Sequence, residues 1–191
     1  MEIGAFVNLA GMSFADLLTL FLCNIENDDD FYDVVACNMA KSNREYFEAF
    51  LPELSGDRLR AAICGFGLSG ITIKNIENYL DYSDEKVISA AIDAMRRTNK
   101  KRYWSKIEPL LNHESPYVRG AVLRYTRQTL KKESLQLLLD ALKDPDEIVR
   151  TNALDELEGI ATPNLRLKIM PFLEDESPSV RAAALSLLNS L

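Results

Sequence analysis

The chain has 191 residues, 47% of them apolar and 27% charged, with a formal net charge of −7. That length suffices for one domain with a sizeable core, the composition is globular, and no apolar run approaches the length of a membrane-spanning helix. Residues 1–57 carry eleven acids and two bases, residues 58–132 seven and fifteen, and residues 133–191 eleven and five; this acidic, basic, acidic order disfavours a general nucleic-acid binder, which needs one dominant basic surface.

The opening MEIGAFVNLAGMSF has no basic stretch followed by an apolar one, so no secretory signal is expected there. Cys23, Cys37 and Cys64 are widely spaced, odd in number and without a C-x-x-C pair, which suits reduced thiols packed as small hydrophobes in a cytoplasm. SFADLLTLFLCNIENDDDFYDVVACNMA reads as a degenerate first pair of helices, with Ser13 capping the first and Asn27 to Asp30 forming an acidic turn. LPELSGDRLRAAIC then begins a second pair, with Leu59 and Arg60 as its key residues.

GFGLSG at 65–70 fits the dinucleotide pattern G-x-G-x-x-G letter for letter. That pattern needs a preceding strand, whereas the preceding segment here has helical spacing. Gly65, Gly67 and Gly70 are therefore read as a helix C-cap and a connection.

From residue 71 one phrase recurs every thirty-one residues: DYSDEKVISAAI, NHESPYVRGAVL, KDPDEIVRTNAL and EDESPSVRAAAL. Aligned on Val87, Val118, Val149 and Val180, each has a leucine seven residues earlier (Leu80, Leu111, Leu142, Leu173) and an aliphatic residue eleven earlier (Ile76, Ile107, Leu138, Ile169). Asp84, Ser115, Asp146 and Ser177, three residues before, are N-cap types, and Pro116 and Pro178 follow at a first helical position. Each unit parses as a helix of about nine residues, an acidic turn and a second helix. The expected fold is an all-α, right-handed α-solenoid of about six helix pairs. It forms a single domain over 1–191, with 1–42 a degenerate pair, 43–70 a second pair and 71–191 four regular repeats.

DPDEIVRTNALDELEGI resembles the HEAT repeat, in particular the short bacterial form also found in phycobilin lyase subunits. The resemblance implies that the valine packs between the two helices. It also implies that the following arginine, matched by Arg119, Arg150 and Arg181 and by Arg60 upstream, belongs to a structural ladder along the turns, broken at Ile88.

Helical periodicity puts the residue before each valine, and those three, six and ten after it, on the stripe opposite the core. From that stripe Asp93, Arg97, Tyr117, Arg124, Ile148, Asn152 and Asp155 are the candidate protein-binding residues, a row of mixed charge with Tyr117 and Ile148 as apolar anchors. The rival surface is the basic stretch RRTNKKRYWSK, with Arg96, Lys100, Lys101 and Arg102; Trp104 in it shares its register with Ile73 and Leu135 and is read as core. His113, the only histidine, falls in a turn. No catalytic motif, metal-ligand cluster or cofactor site is found. The expected function is a non-enzymatic scaffold for a protein partner, as adaptor or as inhibitor of the immunity-protein kind, with a tetrapyrrole lyase subunit as the alternative. Leu185, Leu187, Leu188 and Leu191 put apolar residues on more than one face of the last helix. They point to self-association there or, less favoured, to a longer chain.

Overall fold

A computed structural model describes residues 9, 11–23, 29–98 and 101–191. Every regular element among them is helical, and the chain divides into two compact units, Met1–Thr98 and Asn99–Leu191. The charge divides with them: residues 1–98 hold 16 acids against 8 bases, and residues 99–191 hold 13 against 14.

In the first unit, α1 (Phe14–Leu22) and α2 (Asp29–Ser42) form one pair, and α3 (Arg44–Phe50) and α4 (Gly56–Ser69) a second. A 3₁₀ segment, Ile76–Asp81, and α5 (Glu85–Arg97) make the third. Helix α2 packs on α4 and α4 on α5, so the pairs stack in the manner of an α-solenoid. Ser13 caps α1, accepting from the Asp16 N–H at 3.2 Å while its hydroxyl donates to the Asp16 carboxylate at 2.7 Å. The core is aromatic: Phe47 meets Phe21 edge-on at 5.9 Å and stacks on Phe66 at 5.1 Å.

The glycine-rich stretch is not simply a cap. Gly65 and Gly67 lie inside α4, buried, and only Gly70 ends it, in the left-handed region at φ 74°. The Gly70 N–H donates to the Gly67 carbonyl and the Ile71 N–H to the Phe66 carbonyl, both at 3.2 Å. A Cβ at Gly65 would fall 2.4 Å from Ala36 Cβ on α2, and one at Gly67 would fall 2.9 Å from Ala94 Cα on α5. The two glycines let three helices approach closely. Gly70→Ala meets no neighbour, so its expected cost is the backbone strain alone, about 1–2 kcal/mol. Urea denaturation of the variant checks this.

The second unit contains three more pairs. Their first elements are α6 (Trp104–Ile107), α8 (Leu135–Ala141) and α10 (Arg166–Ile169), each extended by 3₁₀ turns; their second elements are α7 (Pro116–Leu130), α9 (Glu147–Leu157) and α11 (Pro178–Ser190). The single helix expected for each first element is broken in two of the three. Pro109 and Pro171 stand at the start of the 3₁₀ segments that end α6 and α10, because a proline cannot donate into a continuing helix, whereas α8 has no proline and runs unbroken. Val87, Val118, Val149 and Val180 are all at most 2% exposed, and Leu123, Leu138, Leu142, Val149, Leu154 and Val180 share one apolar cluster.

Asp84 and Asp146 cap their helices, each accepting at 2.9 Å from the N–H two residues on. Ser115 and Ser177 do not: their hydroxyls are buried without a partner. Their own N–H groups donate instead to His113 Nδ1 at 3.0 Å and to Asp175 Oδ1 at 2.9 Å, so the turn is closed by the residue two places back. Tyr103 and Ile107, rather than Trp104, fill the core at that level; Trp104 is half-buried and stacks on Tyr125 at 6.3 Å.

Candidate protein-interaction face

Helices α7 and α9 pack side by side in the second unit, and the residues between their buried faces and solvent make the candidate face. Tyr117, the second residue of α7, is 55% exposed although Val118 beside it is fully buried. Ile148 holds the corresponding place on α9 and is half-buried.

One turn on, Asn152 ties the face together. Its Nδ2 donates to the Ile148 carbonyl at 2.7 Å and its Oδ1 accepts from Arg124 Nη1 at 2.9 Å. Gly120 makes room, since a Cβ there would lie 3.1 Å from Asn152 Nδ2. A turn further along α7, Arg127 Nε donates to the Glu156 carbonyl at 3.1 Å, at the C-terminal end of α9 where helix carbonyls lack partners. Arg124 is thus a link between helices and not the freely presented charge expected of it. Asp155 lies at the surface, where neighbouring protein atoms partly shut water away from its carboxyl and, with the Glu158 charge adding to this, hold it above the usual range.

Asp93 and Arg97 lie on α5, in the other unit. Asp93 accepts from Arg96 Nε at 2.9 Å, which also engages one member of the basic stretch, while Arg97 is exposed. Lys100 lies outside the described residues. Lys101 is exposed, and Arg102 lies over the Tyr103 ring at 4.7 Å.

The arginines that follow the valines hold the turns. Arg119 Nη1 donates to the carbonyls of His113 and Glu114 at 2.7 and 2.8 Å, while its Nε and Nη2 grip Asp144 at 2.9 and 2.8 Å. Arg150 repeats this with the carbonyls of Asp144 and Pro145 at 3.0 and 2.9 Å and with Asp175 at 3.0 and 2.9 Å. Arg181 Nη1 binds the carbonyls of Asp175 and Glu176. The aspartates five residues before Val149 and Val180 were missed in the sequence, and the shared position was the signal. That position holds Tyr82 and His113 in the two preceding repeats. Arg60, with no aspartate at position 82, reaches back to Asp33 on α2 at 3.1 Å.

Cys64 sits beside Arg60, and burial, with the Asp33 charge adding to it, pushes its thiol up to about 12. It stays protonated at neutral pH and has no nucleophilic form to offer. Among the described residues no group of three or more metal-ligating side chains is placed to hold an ion, and no helix is long and apolar enough to cross a membrane.

A family model described as HEAT repeats matches residues 73–158 and 135–191, together more than half of the chain. No curated protein matches it.

Proposed function

The chain belongs to the HEAT-repeat family, and on that premise we propose that it is a non-enzymatic scaffold that binds a protein partner across α7 and α9. The observation that carries this reading is Tyr117, a large aromatic side chain held out from a helix whose other side is core. Aromatic residues on rigid supports are the commonest anchors of protein interfaces, because they cover much area with few rotors to immobilise. Along the same two helices stand the half-buried Ile148, the Arg124–Asn152 pair and the Asp155 carboxyl. A shallow surface of this kind suits another polypeptide better than a small substrate.

The arginines of the second unit also favour a protein over nucleic acid. Arg119, Arg124, Arg127 and Arg150 all donate to acceptors within the chain, so they do not form the row of available cations that phosphate binding requires. No observation favours the tetrapyrrole lyase alternative; visible absorbance of the purified protein is its direct check.

The test is affinity capture with the intact chain and with Tyr117→Ala. A partner retained by the first should bind the variant about thirtyfold more weakly, the equivalent of about 2 kcal/mol at an aromatic anchor, with thermal melting unchanged. Equal affinity for both proteins removes the α7–α9 face from the proposal. Whether the captured partner loses its own activity on binding separates an inhibitor from an adaptor.

A further inference from the structure

We infer that a cleft on the second unit, between α8 and the end of α10, binds a small apolar carboxylic acid. The cleft shares no residue with the α7–α9 face, and its occupant does not depend on a partner there.

A proline opens the cleft. Helix α8 runs unbroken and packs on α9, whereas α10 gives way to a 3₁₀ segment at Pro171. A straight helix and a broken one do not lie against each other along their whole lengths. A cleft of about 390 Å³ remains between residues 136–143 and 168–172. That volume falls in the range of about 300–1,000 Å³ that small-molecule sites occupy. A stable protein interface takes about 20–30 residues from each side, more than these two segments supply.

The floor is apolar. Leu139, Leu142, Pro171 and Phe172 line it. Leu142 belongs to the core of the unit, and Leu139 and Phe172 pack half-buried against that core. An apolar body laid on them is removed from water together with their outer sides.

The charges at the rim select the head group. Asp140 Oδ1 accepts from Lys143 Nζ and Oδ2 from Gln136 Nε2, both at 3.0 Å, so both of its oxygens are engaged within the chain. The Lys143 side chain is still 79% exposed and can meet a second anion. Lys168 is exposed as well, and among the described residues no carboxylate meets it. Two ammonium groups against one carboxylate leave a single positive charge unbalanced. One further carboxylate matches it. A ligand ammonium would add to the excess, and a phosphate monoester would overshoot it with about 1.5–2 negative charges. Each lysine ammonium is a compact charge on a flexible stem, so both can turn onto a head group at the mouth of the cleft.

The probe is decanoate, kept below micelle formation and added to the full chain with carbon-13-labelled leucine methyls. The Leu139 and Leu142 methyls should shift saturably. Lys168→Glu should weaken the response about fivefold with melting unchanged, because that side chain touches nothing else. Tyr117→Ala should leave it unaltered. Decyltrimethylammonium should bind at least tenfold more weakly than decanoate, and decyl phosphate more weakly too. No saturable shift overturns the inference, as does equal binding of the ammonium and the carboxylate, or tighter binding of the phosphate. Shifts as large at Leu167, which is 80% exposed outside the cleft, would mean only general adsorption to apolar surface and overturn it too. So would a captured protein whose binding is lost in Lys168→Glu and is untouched by decanoate, since the cleft would then be a protein contact.

Discussion

Arg150→Ala is expected to destabilise the protein by about 3–5 kcal/mol, the range for removing one partner of a buried ion pair. The residue is only 7% exposed, and its loss takes the guanidinium from the Asp175 carboxylate, which keeps the Ser177 N–H, and strands the carbonyls of Asp144 and Pro145. Arg181→Ala strands only two carbonyls, so it should cost much less. The arginine also fixes a pH dependence. Its hydrogen bonds hold the Asp175 carboxyl below the ordinary range. A carboxyl depressed in the folded state contributes stability that is present above its unfolded pKa of about 3.9 and is lost as pH falls through the folded value. Urea denaturation at pH 7 and at steps below pH 4 should therefore show wild type losing stability on acidification, with a smaller loss in Arg150→Ala. Equal slopes would mean that the pair does not set the carboxyl's titration.

Gly65→Ala should also destabilise, against the local preference. In an isolated helix alanine is better than glycine by about 1 kcal/mol. Here the new methyl would fall 2.4 Å from Ala36 Cβ, 2.5 Å from the Ala36 carbonyl carbon and 2.6 Å from the Cys37 nitrogen. Two of those three atoms are backbone, so no rotamer change relieves the overlap and α2 must move off α4. Overpacking typically costs about 1–3 kcal/mol, and more where the structure cannot yield; the net effect is set at the upper end. Ala36→Gly in the same chain should restore only part of the loss, because it removes one of the three contacts. Gly67→Ala, with its nearest atom at 2.9 Å, should cost less. A thermal melt of Gly65→Ala at or above wild type would mean that the two helices are not in close contact at that point.

What the sequence by itself determined is whatever repeats or acts locally. The thirty-one-residue spacing of Val87, Val118, Val149 and Val180 marks the core, because every pair must bury the same face against its neighbour, and all four are at most 2% exposed. The caps at Ser13, Asp84 and Asp146 were legible because donor and acceptor lie within three residues. The prolines in two of the first helices carried the same kind of local information, and the expectation of unbroken helices there overlooked it. What only the tertiary structure decided is whatever depends on a partner more than twenty residues away. Asp144 and Asp175 are the grip points of Arg119 and Arg150 twenty-five residues earlier, and Arg124 is fastened to Asn152 twenty-eight residues later. Arg60, lacking an aspartate ahead, turns back to Asp33. Gly65 and Gly67 read as a cap and connection by composition, yet they are points of close contact for α4, since backbone approach between helices depends on stacking and not on local propensity. The candidate face was half legible for the same reason: periodicity put Tyr117 outside, but only stacking shows that Arg124, two turns further along α7, is already bonded.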